Sequence, residues 1–179
     1  MEQPQAAKLK VQITIPKDLR RFLLDDADFV NRQKQLVPLP KPMEKTVKQI
    51  LNEFTESSIK TTDPLRRSVA EEIIKGIGEY FDVVLGTQLL YKFERPQYSD
   101  ILKECSGKPM SEIYGPEHLL RLFVKMGSML SQANIDDQSL HFIVSIIQEF
   151  LEWMTKGAEE MFAAVYDTAT PEYYRRTAT

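Results

Sequence analysis

The run Asp136-Asp-Gln-Ser-Leu-His-Phe-Ile-Val-Ser-Ile-Ile-Gln-Glu-Phe-Leu-Glu-Trp-Met-Thr-Lys-Gly157 reads as one whole helix with both ends marked. Leu140, Ile143, Val144, Ile147, Phe150, Leu151 and Met154 recur at steps that place them on one stripe of an α-helix. Asp136 and Asp137 suit its start, because a carboxylate accepts from the free N–H groups of a first turn and meets the positive end of the helix dipole. Lys156-Gly157 suits its end. A helix striped this broadly must be covered by other helices, and the same period recurs upstream. Gly115-Pro116 opens a helix carrying Leu119, Leu120, Phe123, Met126 and Leu130, since proline at a first helical position sacrifices no hydrogen bond. Pro64 opens another, with Val69, Ile73, Ile77, Tyr80, Phe81 and Val84 along one face. Gly76, Gly78 and Gly86 weaken it by up to ~1 kcal/mol each relative to alanine, and a break is expected near Gly86. Residues 44–58 carry Val47, Ile50, Leu51 and Phe54 at helical spacing, followed by a polar loop from Ser57 to Asp63.

Nearer the N-terminus, Leu19, Phe22, Leu23 and Leu24 predict one bent helix or two short ones. Asp25, Asp26 and Asp28 interrupt before Phe29 and Val30, and the element closes before Val37-Pro38-Leu39-Pro40. Leu9, Val11, Ile13 and Ile15 alternate with Lys10, Gln12 and Thr14, a period of two that predicts a short strand. The tail from Thr168 onward is polar and is expected to pack loosely. The fold class is mainly α: a single layered helical domain with a minor N-terminal β element.

At 179 residues the chain is long enough for one domain to bury a core without staples. Charged residues make up 27%, hydrophobic ones 42%, and the mean hydropathy is −0.32, values of an ordinary globular protein. One cysteine, Cys105, excludes an internal disulfide framework and fits a reducing compartment. The first residues lack the pattern of a secretory signal, and no run approaches the roughly 18 apolar residues of a membrane span. A net charge of −3 argues against a domain that holds nucleic acid by overall charge.

Catalytic constellations are hard to assemble from these residues. Two histidines, His118 and His141, and one cysteine are too few for a zinc site of the usual Cys/His type. His118, at a helix start, reads as a structural histidine before it reads as a partner contact, and His141 is given no role. Cys105 has Glu104 beside it, which disfavours the thiolate a nucleophile needs. Asp25-Asp26-Ala27-Asp28 reads as a solvated helix end, because neighbouring helical positions point apart and no glycine-bearing loop wraps them. Gly76-Ile77-Gly78 lacks the third glycine and preceding strand of a dinucleotide site. Arginine pairs at Arg20-Arg21, Arg66-Arg67 and Arg175-Arg176 read as solvated faces. What remains is a surplus of apolar side chains at bends, of the kind that can line a groove for an apolar peptide anchor.

Gly86-Thr-Gln-Leu-Leu-Tyr-Lys-Phe-Glu-Arg-Pro-Gln-Tyr98 resembles the signature of the MRG domain, named for the mortality-factor-related gene family. Arg32-Gln-Lys-Gln-Leu36, Tyr114-Gly-Pro-Glu-His-Leu-Leu-Arg-Leu-Phe-Val124 and Pro171-Glu-Tyr-Tyr-Arg-Arg176 agree in the same order. The resemblance implies an MRG domain over residues 9–176, with residues 1–8 as linker and 177–179 as a tail. It further implies a non-enzymatic, nuclear chromatin adapter without a cofactor or metal, shared between histone acetyltransferase and histone deacetylase complexes. Its partners would be protein subunits carrying Phe-x-Leu-Pro-like and helical segments. Chromatin would be reached indirectly, through an N-terminal chromodomain that this chain has no room for, and no membrane is involved. Carried onto this sequence, the family's partner groove is walled by Ile15, Leu23, Leu24 and Tyr91, with Lys125 at the rim. By helical spacing His118 and Leu122 share the face of Lys125 and are added to the site. Ala27 stands where animal members have tryptophan, so the likeness is to a fungal-type member with a shallower or wider groove. A second reading, from another class, is a helical nucleic-acid-binding domain that uses Arg20, Arg21, Arg66 and Arg67.

Overall fold

Chain order in the computed structural model, which describes residues 11–57, 59 and 63–178, is that of a helical domain with one small sheet. Helix α1 (Lys17–Ala27) runs straight into a π-helical turn (Asp28–Arg32), followed by the short strand β1 (Gln35–Leu36). Next come α2 (Val47–Ser57), the long α3 (Pro64–Gln88) and, after a 3-10 turn at Lys92–Glu94, α4 (Arg95–Glu104). Helices α5 (Pro116–Gln132) and α6 (Asp137–Lys156) lead to α7 (Ala158–Met161), strand β2 (Asp167–Thr168) and α8 (Pro171–Thr177). The expected ends hold at both principal helices: Asp136 accepts from the Ser139 amide, and Gly115 sits at the N-cap ahead of Pro116.

Helix α5 is the axis of the core. Every residue from Pro116 to Phe123 is buried, as happens when a helix is covered on all sides, here by α1, α2 and α3 among others. Phe54, Phe123 and Phe150, from three different helices, meet at its centre with ring centroids 5.1 and 5.4 Å apart. A buried pair, Lys41 Nζ to Glu117 Oε1 at 2.8 Å, ties the proline-rich stretch to the start of α5.

The minor β element is present but made of other residues than expected. Strand β1 pairs antiparallel with β2, Gln35 opposite Thr168 and Leu36 opposite Asp167, so the sheet joins the two ends of the chain. Residues 11–15 form no strand, and Leu9 and Lys10 lie outside the described residues. The alternation there does orient the side chains: Val11, Ile13 and Ile15 are half-buried while Gln12 and Thr14 are exposed. The backbone finds side-chain partners instead of a ladder. Val11 N–H donates to Ser131 Oγ at 3.0 Å, and Thr14 exchanges two bonds with the Gln148 amide, at 2.7 and 3.0 Å.

One further expectation is corrected. The tail is not loose: α8 is anchored by the Tyr173 hydroxyl, which donates to the Phe93 carbonyl and accepts from the Gln97 amide, and by the Arg176–Asp100 ion pair. The break expected near Gly86 comes two residues on, where α3 ends at Gln88, and Gly86 itself lies within the helix. Glycine is needed there for space, because a Cβ would collide with the Tyr98 ring. Gly76, on the same helix, has nothing within 4 Å of the position a Cβ would take. The two therefore respond oppositely to alanine. Gly76→Ala raises stability by about 0.5–1 kcal/mol through helix propensity. Gly86→Ala lowers it by about 1–3 kcal/mol through overpacking. Urea denaturation of both variants measures the difference in sign.

Candidate functional site

Three segments distant in sequence come together around a groove of about 360 Å³, near the lower end of the ~300–1,000 Å³ typical of ligand pockets. Helix α1 contributes Leu23, Leu24 and Ala27. The end of α3 and the turn after it contribute the residues from Gln88 to Tyr91, and α5 contributes Arg121, Val124 and Lys125. Leu24 is 71% exposed and Val124 55%, so the walls are apolar and open to solvent. Consecutive leucines cannot share one direction on a helix: Leu23 leans on the core while Leu24 stands out.

Basic side chains close the C-terminal end of α3, whose last carbonyls have no helical partner. Arg95 donates to the Gly86 carbonyl, Lys125 Nζ to that of Gln88, and Arg121 Nη1 to that of Leu89, the last at 2.9 Å. Cations at that end also oppose the helix dipole. Lys125 thus holds a defined place at the rim.

Beneath the groove lies a buried polar network. Arg121 Nε donates to Asp26 Oδ2 at 2.8 Å, and Nη1 donates to Glu94 Oε1. The guanidinium carbon sits 4.2 Å from the centroid of the Tyr91 ring. Glu94 Oε1 also accepts from the Tyr91 amide at 2.9 Å, and its Oε2 lies 2.7 Å from His118 Nε2. The Tyr166 hydroxyl donates to the other oxygen of Asp26. Burial pushes the Glu94 carboxyl up, but His118 and Arg121 outweigh it and hold it at about 2. Facing an ionised carboxylate, Nε2 is the nitrogen of His118 that carries the hydrogen. Burial would lower Arg121, and Glu94 and Asp26 more than compensate, raising it. Burial, reinforced by Asp26, raises the Tyr166 hydroxyl.

The structure brings Leu23, Leu24, Ala27, Tyr91 and Lys125 together and leaves three other expected residues out of the groove. Ile15 is half-buried against the core, its carbonyl accepting from Arg20 Nε at 2.9 Å. His118 and Leu122 are fully buried. They do share a helical face with Lys125, but the first two turns of α5 are covered all round, and that side of the helix emerges only at Val124 and Lys125. Asp26 is likewise not part of a solvated helix end: it is 3% exposed and paired with Arg121. Asp28 does stand at the surface, where hydrogen bonds from Arg32 and Gln33 hold its carboxyl down at about 2.

Arg121, the residue that touches most of the site, is not among the residues the sequence points to. Its one signal is a charge placed inside the apolar run Leu119-Leu-Arg-Leu-Phe-Val124. The arginines of the second reading are partly occupied within the chain. Arg21 pairs with Glu159, Arg66 lies over the Phe142 ring, and Arg67 binds Glu71 and the Thr55 carbonyl. Cys105 is the C-cap of α4 and His141 is exposed. Among the described residues, no group of three or more His, Cys, Asp or Glu is placed to hold a metal ion, and no helix is long and apolar enough to cross a membrane.

The architecture is that of a layered helical domain with an apolar groove set over a buried ionic network. The MRG family model matches residues 1–168, and the chain belongs to the MRG family. It is 44% identical over 172 residues to mortality factor 4-like protein 1 of Homo sapiens, covering 94% of this chain and 47% of that protein. The Rattus norvegicus protein of the same name is equally similar, with 52% of its length covered. Mortality factor 4-like protein 2 of Homo sapiens is 42% identical over 171 residues, 59% of its length. The chain spans about half the length of the relatives it matches. The family is one of chromatin-associated adapter domains.

Proposed function

We propose that this chain is a non-enzymatic docking module of a nuclear chromatin regulator, and that it recruits subunits of histone acetyltransferase and deacetylase complexes. The partner inserts a Phe-x-Leu-Pro-like segment into the groove between α1, the end of α3 and α5. Leu23, Leu24, Ala27 and Tyr91 receive its apolar anchors, and Lys125 faces its backbone at the rim. His118 supports the Tyr91 wall from behind through Glu94, while Ile15 and Leu122 belong to the core around it. The domain boundaries follow as 9–176, and chromatin is reached through a chromodomain elsewhere in the full protein. The observation that carries the reading is the convergence of apolar side chains from three distant segments on one solvent-open groove. Membership in an adapter family supports it.

Burying a partner phenylalanine and leucine contributes ~1.5–3 kcal/mol each, while association costs at least ~4 kcal/mol. These two side chains alone leave at most ~2 kcal/mol, so further contacts of the segment supply most of the affinity. The Kd is on the order of 1–100 μM for a short peptide, with tighter binding for a longer partner segment. Titration of the purified chain with a Phe-x-Leu-Pro peptide, followed by calorimetry, tests this. Leu24→Asp removes an exposed wall and sets a carboxylate against an apolar anchor. It weakens binding by at least about 30-fold, or ~2 kcal/mol, without changing the circular dichroism spectrum. Unchanged affinity in Leu24→Asp and Tyr91→Ala would remove the groove from the reading.

A further inference from the structure

The groove's walls belong to segments far apart in sequence, and a single side chain touches the framework of all of them. Arg121 stands on α5 and reaches 95 residues back to Asp26 on α1, 32 residues back to the Leu89 carbonyl and 27 residues back to Glu94. Asp26 immediately precedes Ala27 in the α1 wall, Leu89 is itself a wall residue, and Glu94 holds the Tyr91 amide. The guanidinium also underlies the Tyr91 ring. A guanidinium is planar and rigid, so the separations between its nitrogens are constant. What bonds to Nε and what bonds to Nη1 are therefore kept at a set distance from each other. Both carboxylates are braced from behind, Asp26 by Tyr166 and Glu94 by His118. With Arg121 only 6% exposed, a shift of either wall would break an ion pair out of reach of water.

We propose that Arg121 is the positioning residue of the groove, and that its guanidinium spaces the α1 wall from the Tyr91 wall so that the groove stands preformed for an apolar anchor of one size. The proposal rests on the docking function argued above and adds how the same site selects its partner. A preformed groove has no ordering to do on binding, which strengthens affinity, and a fixed width rejects anchors that are too small or too large. A lysine at this position keeps the charge but offers one ammonium in place of the fork, so it cannot hold both walls.

The test compares the unaltered chain with Arg121→Lys and, should that variant fold poorly, Tyr166→Phe, which unbraces Asp26 from outside the groove. Three peptides serve as probes: Phe-x-Leu-Pro and versions with leucine or tryptophan in place of phenylalanine. Titrations run at a temperature where each variant is folded. Backbone amide exchange is followed in the free proteins. Arg121→Lys is expected to lose about tenfold in affinity for the phenylalanine peptide and most of its discrimination among the three. Its Tyr91 and Leu24 amides exchange faster, while amides of α6 do not. Full affinity and discrimination, with only a lower melting temperature, would make Arg121 a purely structural residue and overturn the proposal. So would acceleration spread evenly over the chain. If the unaltered chain binds none of the peptides, the docking function fails, and the exchange pattern alone decides whether Arg121 holds the walls.

Discussion

Glu94→Gln lowers the stability of the fold by about 3–5 kcal/mol at neutral pH, although the side chain keeps its shape and can still accept from the Tyr91 amide. A neutral amide leaves Arg121 with Asp26 as its one remaining charged partner, and Arg121 cannot shed its proton. Glu94 is 1% exposed, so water does not replace the missing charge. Replacing a whole buried ion pair by apolar groups can be harmless, whereas removing one member is not, because the other stays buried and uncompensated. For a chain of this length the expected fall in melting temperature is roughly 6–20 °C. Urea denaturation followed by the fluorescence of the single tryptophan, Trp153, measures it directly.

The same carboxyl makes stability depend on acid. Glu94 is held at about 2 in the folded chain against an ordinary value of 4.5, so the unfolded chain takes up the proton first. Its contribution, on the order of 3 kcal/mol, is complete above the unfolded value and is lost as the pH falls through the window between the two. The unaltered chain should therefore weaken between about pH 4.5 and pH 2 more steeply than Glu94→Gln, with the gap between the two narrowing toward pH 2. A gap that stays constant across that window would show that Glu94 is not the group responsible.

Phe150→Ala costs about 3–5 kcal/mol by the loss of burial and by the cavity left behind. Phe150 is fully buried, with its ring 5.1 Å from Phe54, 5.4 Å from Phe123 and 5.6 Å from Trp153. Ring pairs of this kind add about 0.5–1.5 kcal/mol beyond burial, which places the effect toward the upper end. Three elements meet at this ring and none can move in without separating from another, so the cavity cannot close. Met43, 82% exposed, is the control: Met43→Ala should change stability by no more than about 0.5 kcal/mol. Thermal denaturation followed by circular dichroism separates the two, since Trp153 itself touches the altered site.

Local pattern made the long helices legible. Helices α2, α3, α5 and α6 each carry an apolar stripe long enough to repeat, and the starts of the last three use proline or a capping aspartate. Helix α4 gave no such signal because Ile101 is its one buried residue. Helix α8 has none, and what holds it is the Tyr173 hydroxyl and an ion pair to Asp100, neither of which leaves a period in the sequence. The alternation at residues 11–15 reported the facing of side chains correctly and said nothing about pairing. A period of two records burial on one side, whereas a strand also needs a neighbouring backbone, and here the side chains of Ser131 and Gln148 take that role.

By itself the sequence determined the class of the fold and the register of its principal helices, which are written in spacing along the chain, and the family, which is written in the residue identities of segments such as Gly86–Tyr98. The α1 leucines, Tyr91 and Lys125 came within reach only through that family resemblance. Only the tertiary structure decided which of the expected site residues stand at the surface and what lies beneath them. His118 and Lys125 share one helical face, and nothing local says that the first is sealed in while the second is open. Asp26 and Arg121 look like a surface acid and a stray charge until the fold brings them to 2.8 Å across 95 residues. Burial then turns them into partners, because a charge out of water must be matched by another, and the chain can supply that match from any distance along its length.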